Sequence, residues 1–223
     1  MIKIEDVEVW GWTHALRGMR NPMNSWDKSD TNITLTGSKV CAPRLHQTTS
    51  EEPHFGEADA KLIHSLVQGG TEHRKFLRQV FVAMDITAPL YWWKEFDTYK
   101  VGVTANSCST MHKIQSKEFT EDMFSCEHLN PDSMATLRST IFQLNKYRKL
   151  YNENHNKDDW WQMIQLLPSS YNQRRTVTMN YENVLAIIHQ RSGHKLDEWN
   201  EFVEVLTNLP GMNVILGGEP KEW

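Results

Sequence analysis

Apolar residues alternate at Ile2 and Ile4 and then at Val7 and Val9, so the first ten residues read as a strand whose phase slips midway, as at a bulge. From Arg17 to Gly56 the pattern fades into Asn, Ser, Thr, Pro and Gly with scattered apolar residues. That predicts long loops holding at most a short hairpin, and long loops on a compact domain are often binding segments. Helical spacing begins at Ala58, Leu62, Ile63, Leu66 and Val67 and stops at Gly69-Gly70, after which Thr71 is placed to cap a further helix. A period of two at Val80, Val82, Met84 and Ile86 marks a strand ending at Thr87-Ala88-Pro89. Pro89 holds a helical dihedral and needs no donor in a first turn, so a helix is expected from Leu90 to Lys100, with Tyr91, Trp92 and Phe96 near one face. Asn130-Pro131-Asp132-Ser133 is a cap signature, followed by a helical stripe from Met134 to Tyr151. Asp158 opens a shorter helix that ends at Leu167-Pro168. Two more run over Val184–Arg191, stopped by Gly193, and Leu196–Leu206, stopped before Pro210. The expected fold class is α+β, mostly helical after residue 130.

With 223 residues, no internal repeat and no Pro/Gly/Ser linker, the chain reads as a single domain over residues 1–223. Its 24 Lys and Arg against 28 Asp and Glu give a net charge of -4, which excludes an extended nucleic acid held on a broad basic surface but leaves room for a local basic pocket. No apolar run approaches the roughly eighteen residues of a membrane span, and the start, Met1 to Asp6, is acidic where a signal peptide is basic. A soluble, cytoplasmic protein with no membrane partner is expected. Cys41, Cys108 and Cys126 cannot all pair within one chain and form no C-x-x-C, which fits a reducing compartment. Cys108 with His112 and Cys126 with His128 lack a matching second half, and there is no H-E-x-x-H, so no metal is expected. Phosphate-loop and dinucleotide fingerprints are absent as well. Nine tryptophans, including the neighbours Trp92-Trp93 and Trp160-Trp161, suit core or subunit-interface anchors.

Two segments together resemble the flavin-dependent thymidylate synthase family. Val82 to Ile114, VAMDITAPLYWWKEFDTYKVGVTANSCSTMHKI, is similar to that family's strand, Ala-Pro and helix leading into R-H-R-x-x-S-x-N-E-x-S-x-R-Y. Thr98-Tyr99-Lys100 fall on the R-H-R, and with one inserted residue Asn106, Ser107 and Ser109 fall on the N-E-x-S. Glu72-His73 resembles the upstream E-H pair, several residues farther from Ala88-Pro89 than usual. Leu166 to Arg191, LLPSSYNQRRTVTMNYENVLAIIHQR, resembles the V-L-P … T-x-N-x-R-x-L … L-R block at the family's spacing. The resemblance spans roughly residues 60 to 205. It implies an α+β homotetramer that methylates or hydroxymethylates C5 of a pyrimidine nucleotide, using FAD, NADPH and methylenetetrahydrofolate. It implies cofactor contacts at His73, Lys100, Asn106, Asn180 and Arg191, and substrate contacts at Lys94, Glu95, Ser107, Ser109, Arg174 and Arg191; no catalytic residue is assigned.

The departures fall on the charged positions. Thr98 and Tyr99 replace an arginine and a histidine, Ser107 a glutamate, and Met111, Ile164 and Glu182 replace arginines. Arginine grips a phosphate with two parallel donors, which methionine and isoleucine lack. Losing two such contacts is expected to weaken dUMP by about 10² to 10⁴-fold unless Lys94, Lys100, Arg174 or Arg175 compensates. Glu182 repels an adjacent anion. Each retained residue has a plainer reading too. Asn106 and Ser109 suit caps or turns, Arg191 the C-terminal end of a helix, and Arg174-Arg175 a solvated basic edge in a loop-like stretch. Three accounts follow: an active flavoenzyme; a catalytically silent relative that binds or sequesters a nucleotide; and, from the tryptophans alone, an interaction protein.

Overall fold

The computed structural model describes residues 2–38 and 48–219; Cys41 and the middle of the Arg17 to Gly56 stretch lie outside the described residues. In chain order the strands are β1 (Lys3–Trp10), β2 (Asn32–Ser38), β3 (Thr48–His54), β4 (Phe81–Pro89), β5 (Val103–Ser107) and β6 (Asn172–Asn180). The helices are α1 (Trp12–Arg20), α2 (Glu57–Gln68), α3 (Leu90–Phe96), α4 (Thr110–Lys113), α5 (Pro131–Asn154), α6 (Lys157–Leu166), α7 (Tyr181–Arg191), α8 (Asp197–Thr207) and α9 (Met212–Ile215). Among the described residues β1-β4-β6-β5 form one sheet in that order, while β2 and β3 pair antiparallel with Asn32 opposite His54 and Thr36 opposite Ser50. The class is α+β.

The chain divides into two compact units. The first comprises residues up to Lys3, Ile86–Thr98 and Asn106–Arg175. Its core gathers Ile114, Phe119, Phe124, Leu137, Ile141, Leu144 and Met163 beneath α5 and α6. Asn130 starts α5 as expected, its side chain accepting from the Ser133 N–H, with Pro131 in the first turn. α3 begins where its free N–H groups find acceptors, Leu90 donating to the Tyr171 carbonyl and Tyr91 to that of Ser169. It ends at Phe96, short of the expected Lys100, because Asp97 already caps it and the Thr98 hydroxyl folds back on the Glu95 carbonyl. Trp92, Trp93 and Phe96 are buried against one another, so the aromatic face of this helix is spent inside the protomer.

The second unit comprises Ile4–Asp85, Tyr99–Ala105 and residues from Thr176 on. Trp12 packs edge-on to Phe55 and Tyr181 at its centre, and Trp199 meets Phe202 and Tyr99. α1 has no counterpart among the expected helices, and its last turn, Arg17 to Arg20, enters the stretch read as loop. Trp12, Ala15, Leu16 and Met19 do form a buried helical face, but Arg20 beside them is buried only because Asp59 neutralises it. The hairpin expected there exists as β2–β3, and it is fastened to the body by Ser50 Oγ, which accepts from the Val9 N–H, and Glu51, which accepts from the Trp12 N–H. Asp6 sits at φ 51°, the irregularity that the phase slip in β1 implied. Thr71 caps nothing; it lies in a turn, and a short 3₁₀ segment (Lys75–Gln79) follows, with Arg74 in the flanking position.

Candidate functional site

In the first unit β6 reads Asn172, Gln173, Arg174, Arg175, and the two arginines part company because successive residues of a strand face opposite sides. Arg175 is committed to structure. Its guanidinium lies 4.1 Å over the Trp93 ring, Nη1 is 2.7 Å from Asp97, and Nε donates to Gln173 Oε1 at 3.0 Å. Trp93 Nε1 in turn donates to the Gln173 carbonyl at 2.9 Å. The loop reading of these residues is therefore corrected: they form a strand whose polar side chains are satisfied by ring stacking and hydrogen bonds, a burial that an apolar pattern does not register. Arg174 faces the other way, onto a cavity of about 300 Å³.

That cavity is built around the segment after β5. The Cys108 N–H donates to the Arg174 carbonyl at 2.9 Å and Gln173 Nε2 to the Cys108 carbonyl at 2.8 Å, which clamps the segment to β6. Ser109 then caps α4 by accepting from the His112 N–H at 3.0 Å, and α4 carries Lys113 to the cavity; Lys117 follows four residues on. Phe119 and Tyr171 make an aromatic wall, their rings edge-on at 6.3 Å. Among the described residues the lining holds three cations, Lys113, Lys117 and Arg174, and no carboxylate. Neither lysine ammonium has a carboxylate partner among the described residues. Burial, with a smaller contribution from the Cys108 sulfur, pushes the Tyr171 phenol up, so it stays neutral at physiological pH and keeps its O–H to donate. Three cations, a hydroxyl cap and an aromatic wall suit an anionic molecule that carries a planar ring.

Of the substrate residues implied by the resemblance, Ser109 and Arg174 meet at this cavity. Lys94, exposed on α3, Glu95 beside it, and Ser107 at the end of β5 do not line it. Nor does Asn106, which is exposed on β5. Of the four cations that sequence reasoning offered for a phosphate, Lys94, Lys100, Arg174 and Arg175, only Arg174 lines this cavity. Lys113 and Lys117 escaped that reasoning, since they lie beyond the motif and carry no spacing of their own; the sign was that α4's cap at Ser109 turns the chain so that both follow it. Met111 is half-exposed, its carbonyl accepting from Trp160 Nε1 at 3.2 Å, and Ile164 packs against the core of this unit.

The other implied cofactor residues lie in the second unit. Asn180 caps α7, its side chain accepting from the Asn183 N–H at 3.0 Å. Arg191 closes the same helix: Nε donates to the Tyr99 hydroxyl at 3.0 Å, and the guanidinium stacks 4.4 Å from the Trp199 ring. The helix-end reading of Arg191 thus has clear structural content, and Tyr99, standing where the family has histidine, serves it. Lys100 is exposed in the turn that Asn183 Nδ2 fastens through the Val101 carbonyl at 2.8 Å. Glu182 is no uncompensated anion, because Arg74 grips it with Nε and Nη2 at 3.0–3.2 Å. His73 is exposed at the edge of a second cavity of about 290 Å³, walled by Met19, Leu66 and Phe76, with Lys75 beside it. Apolar walls with an imidazole and an ammonium fit part of a flavin nucleotide, a flat ring system on a phosphate chain.

No family model matches the chain, and no curated protein matches it. Solved structures do. A crystal structure of thymidylate synthase X from Helicobacter pylori with FAD and dUMP matches at a TM-score of 0.64 and 17% identity, covering 97% of each chain. A second, of the flavin-dependent thymidylate synthase of the same organism complexed with FAD and dUMP, matches at 0.64 and 17%, covering 99% of this chain and 100% of that one. The chain has the flavin-dependent thymidylate synthase fold over nearly its whole length.

Proposed function

We propose that the protein is a divergent flavin-dependent enzyme that transfers a one-carbon unit, as methyl or hydroxymethyl, to C5 of a pyrimidine nucleotide. The observation that carries this reading is the cation-lined cavity, in which Ser109 and Arg174 meet at positions the motif resemblance assigns to substrate. The likeness of fold to synthases holding FAD and dUMP supports it. At about 300 Å³ the cavity has room for a mononucleotide, not for a dinucleotide, so substrate and cofactor take separate places.

A bound flavin supplies the hydride, with NADPH as reductant and methylenetetrahydrofolate as the carbon source that the resemblance implies. His73 and Lys75 at the second cavity, with Lys100 as a point charge for a phosphate, are the residues of this chain that would hold it. The chain's own part is binding and orientation. The cations of the first cavity neutralise the substrate phosphate, Phe119 and Tyr171 flank the base, and the neutral Tyr171 phenol donates to a ring carbonyl. Residues 1–223 act as one functional domain, assembled as a homotetramer in the reducing cytoplasm. Cys108 and Cys126 are free, and no helix among the described residues is long and apolar enough to cross a membrane.

The test is flavin. Denaturing the purified protein should release FAD into the supernatant, or FAD added to apoprotein should be quenched saturably. Nucleotide binding with neither release nor quenching would replace this reading by the silent, nucleotide-sequestering one.

A further inference from the structure

We infer that Lys113 and Lys117, which lie outside the family motif, are the phosphate grip of the first cavity and select ligands bearing a phosphate monoester. The inference rests on the nucleotide reading above and deepens it. Two of the arginines that the resemblance leads one to expect are gone, and their positions are put to other uses: Ile164 packs in the core, and Met111 leaves only its carbonyl engaged, with Trp160. The charge has not vanished from the neighbourhood. α4 and the turn after it bring two ammonium groups to the same cavity as Arg174, in a chain whose net charge is -4. Among the described residues neither ammonium has a carboxylate partner and no Asp or Glu lines the cavity, so the charge of these two lysines meets no counter-charge there. The two ammonium groups on one small volume repel one another, and an anion entering it removes that repulsion.

The ligand's charge follows from the count. A neutral nucleoside gains the aromatic wall but leaves the repulsion in place, whereas a dianionic monophosphate meets both. Lysine presents a point charge without a fork, so recognition is by charge and distance and tolerates the identity of the base more than a bidentate arginine pair would. Base choice then falls to Tyr171 and Phe119, which line the same cavity.

Cys108 provides the readout, because its exposed thiol lies on the lining. Full-length protein is alkylated with the neutral reagent iodoacetamide, and the rate at Cys108 is followed by peptide mass spectrometry with Cys126 as internal reference. Inorganic phosphate, dUMP, AMP and deoxyuridine are the probes. Phosphate and dUMP should protect Cys108, with deoxyuridine far less effective. In the Lys113→Gln/Lys117→Gln variant the half-protecting dUMP concentration should rise about tenfold or more, while Lys149→Gln, on the exposed side of α5, leaves it unchanged. Undiminished protection by dUMP in the double variant overturns the inference and leaves the pyrimidine reading standing. Protection by AMP equal to that by dUMP, lost in the double variant, upholds the lysine grip and sinks the pyrimidine reading instead. Absence of protection by any phosphate compound overturns the grip outright, with flavin release then judging the enzyme reading separately.

Discussion

Asp59 is fully buried on α2, and its two oxygens accept from Arg20 Nε, Ser29 Oγ, Thr31 Oγ1 and the backbone N–H groups of Asp30 and Thr31. Asp30 returns the favour by capping α2, accepting from Ala58 and Asp59 N–H. Asp59→Asn should cost about 3–5 kcal/mol in urea unfolding, because Arg20, itself buried, loses its counter-charge. Desolvation raises the Asp59 pKa, but hydrogen bonds from Thr31, Ser29 and Arg20 outweigh it and hold the carboxyl below its ordinary 3.8. A group depressed in the folded state stabilises above its unfolded pKa, so this contribution is constant from neutral pH down to about 4 and is lost as pH falls through the lowered value. Acid unfolding monitored by circular dichroism should move to higher pH in Asp59→Ala. None of this was legible in the sequence: Arg20 and Asp59 are 39 residues apart, and a charge buried by pairing interrupts the apolar stripe that periodicity relies on. Lys113 and Lys117 were hidden for a similar reason, since only folding brings them to the cavity that Arg174 lines.

Elements with strong local signals were readable. β4 alternates cleanly, α5 carries its cap and proline, and α7 and α8 end at Arg191 and Thr207, shortly before Gly193 and Pro210. Of the missed ones, which include the short α4 and α9, α1, β5 and β6 are held by features of tertiary context. β5 is exposed beyond Val103, and β6 buries Gln173 through its bond to Cys108 and covers Trp93 with Arg175. The seam between α3 and β6 yields a prediction: Trp93→Phe removes the donor to the Gln173 carbonyl and should cost about 1–3 kcal/mol by chemical denaturation. At α7, Asn180→Ala should cost about 1 kcal/mol through its lost cap. Flavin affinity measured on the same variant separates the roles. A fall in affinity beyond the stability loss would mark Asn180 as a ligand contact, and parallel small changes would mark it as a cap alone. Gly102 packs against that cap at φ 76°, where an added Cβ would come 2.7 Å from Asn180 Nδ2, so Gly102→Ala should disturb the Lys100 turn and the α7 start together.

Nearly the whole chain carries the fold of the flavin-dependent thymidylate synthases, which two short motif blocks were enough to suggest and which hydrophobic patterning alone was not. A homotetramer is expected with that reading, and light scattering at micromolar concentration should give four times the chain mass; a monomer would contradict it. The aromatic face of α3 is not available for such an interface, so any contact through this helix uses its exposed side around Lys94. The most direct measurement is product analysis. The protein is incubated with FAD, NADPH, methylenetetrahydrofolate and dUMP, and the nucleotide is examined by mass spectrometry and by loss of hydrogen from C5. The account predicts a nucleotide bearing one added carbon, formed only when all four components are present. Unchanged dUMP, recovered from a protein shown to hold both FAD and dUMP, would contradict it.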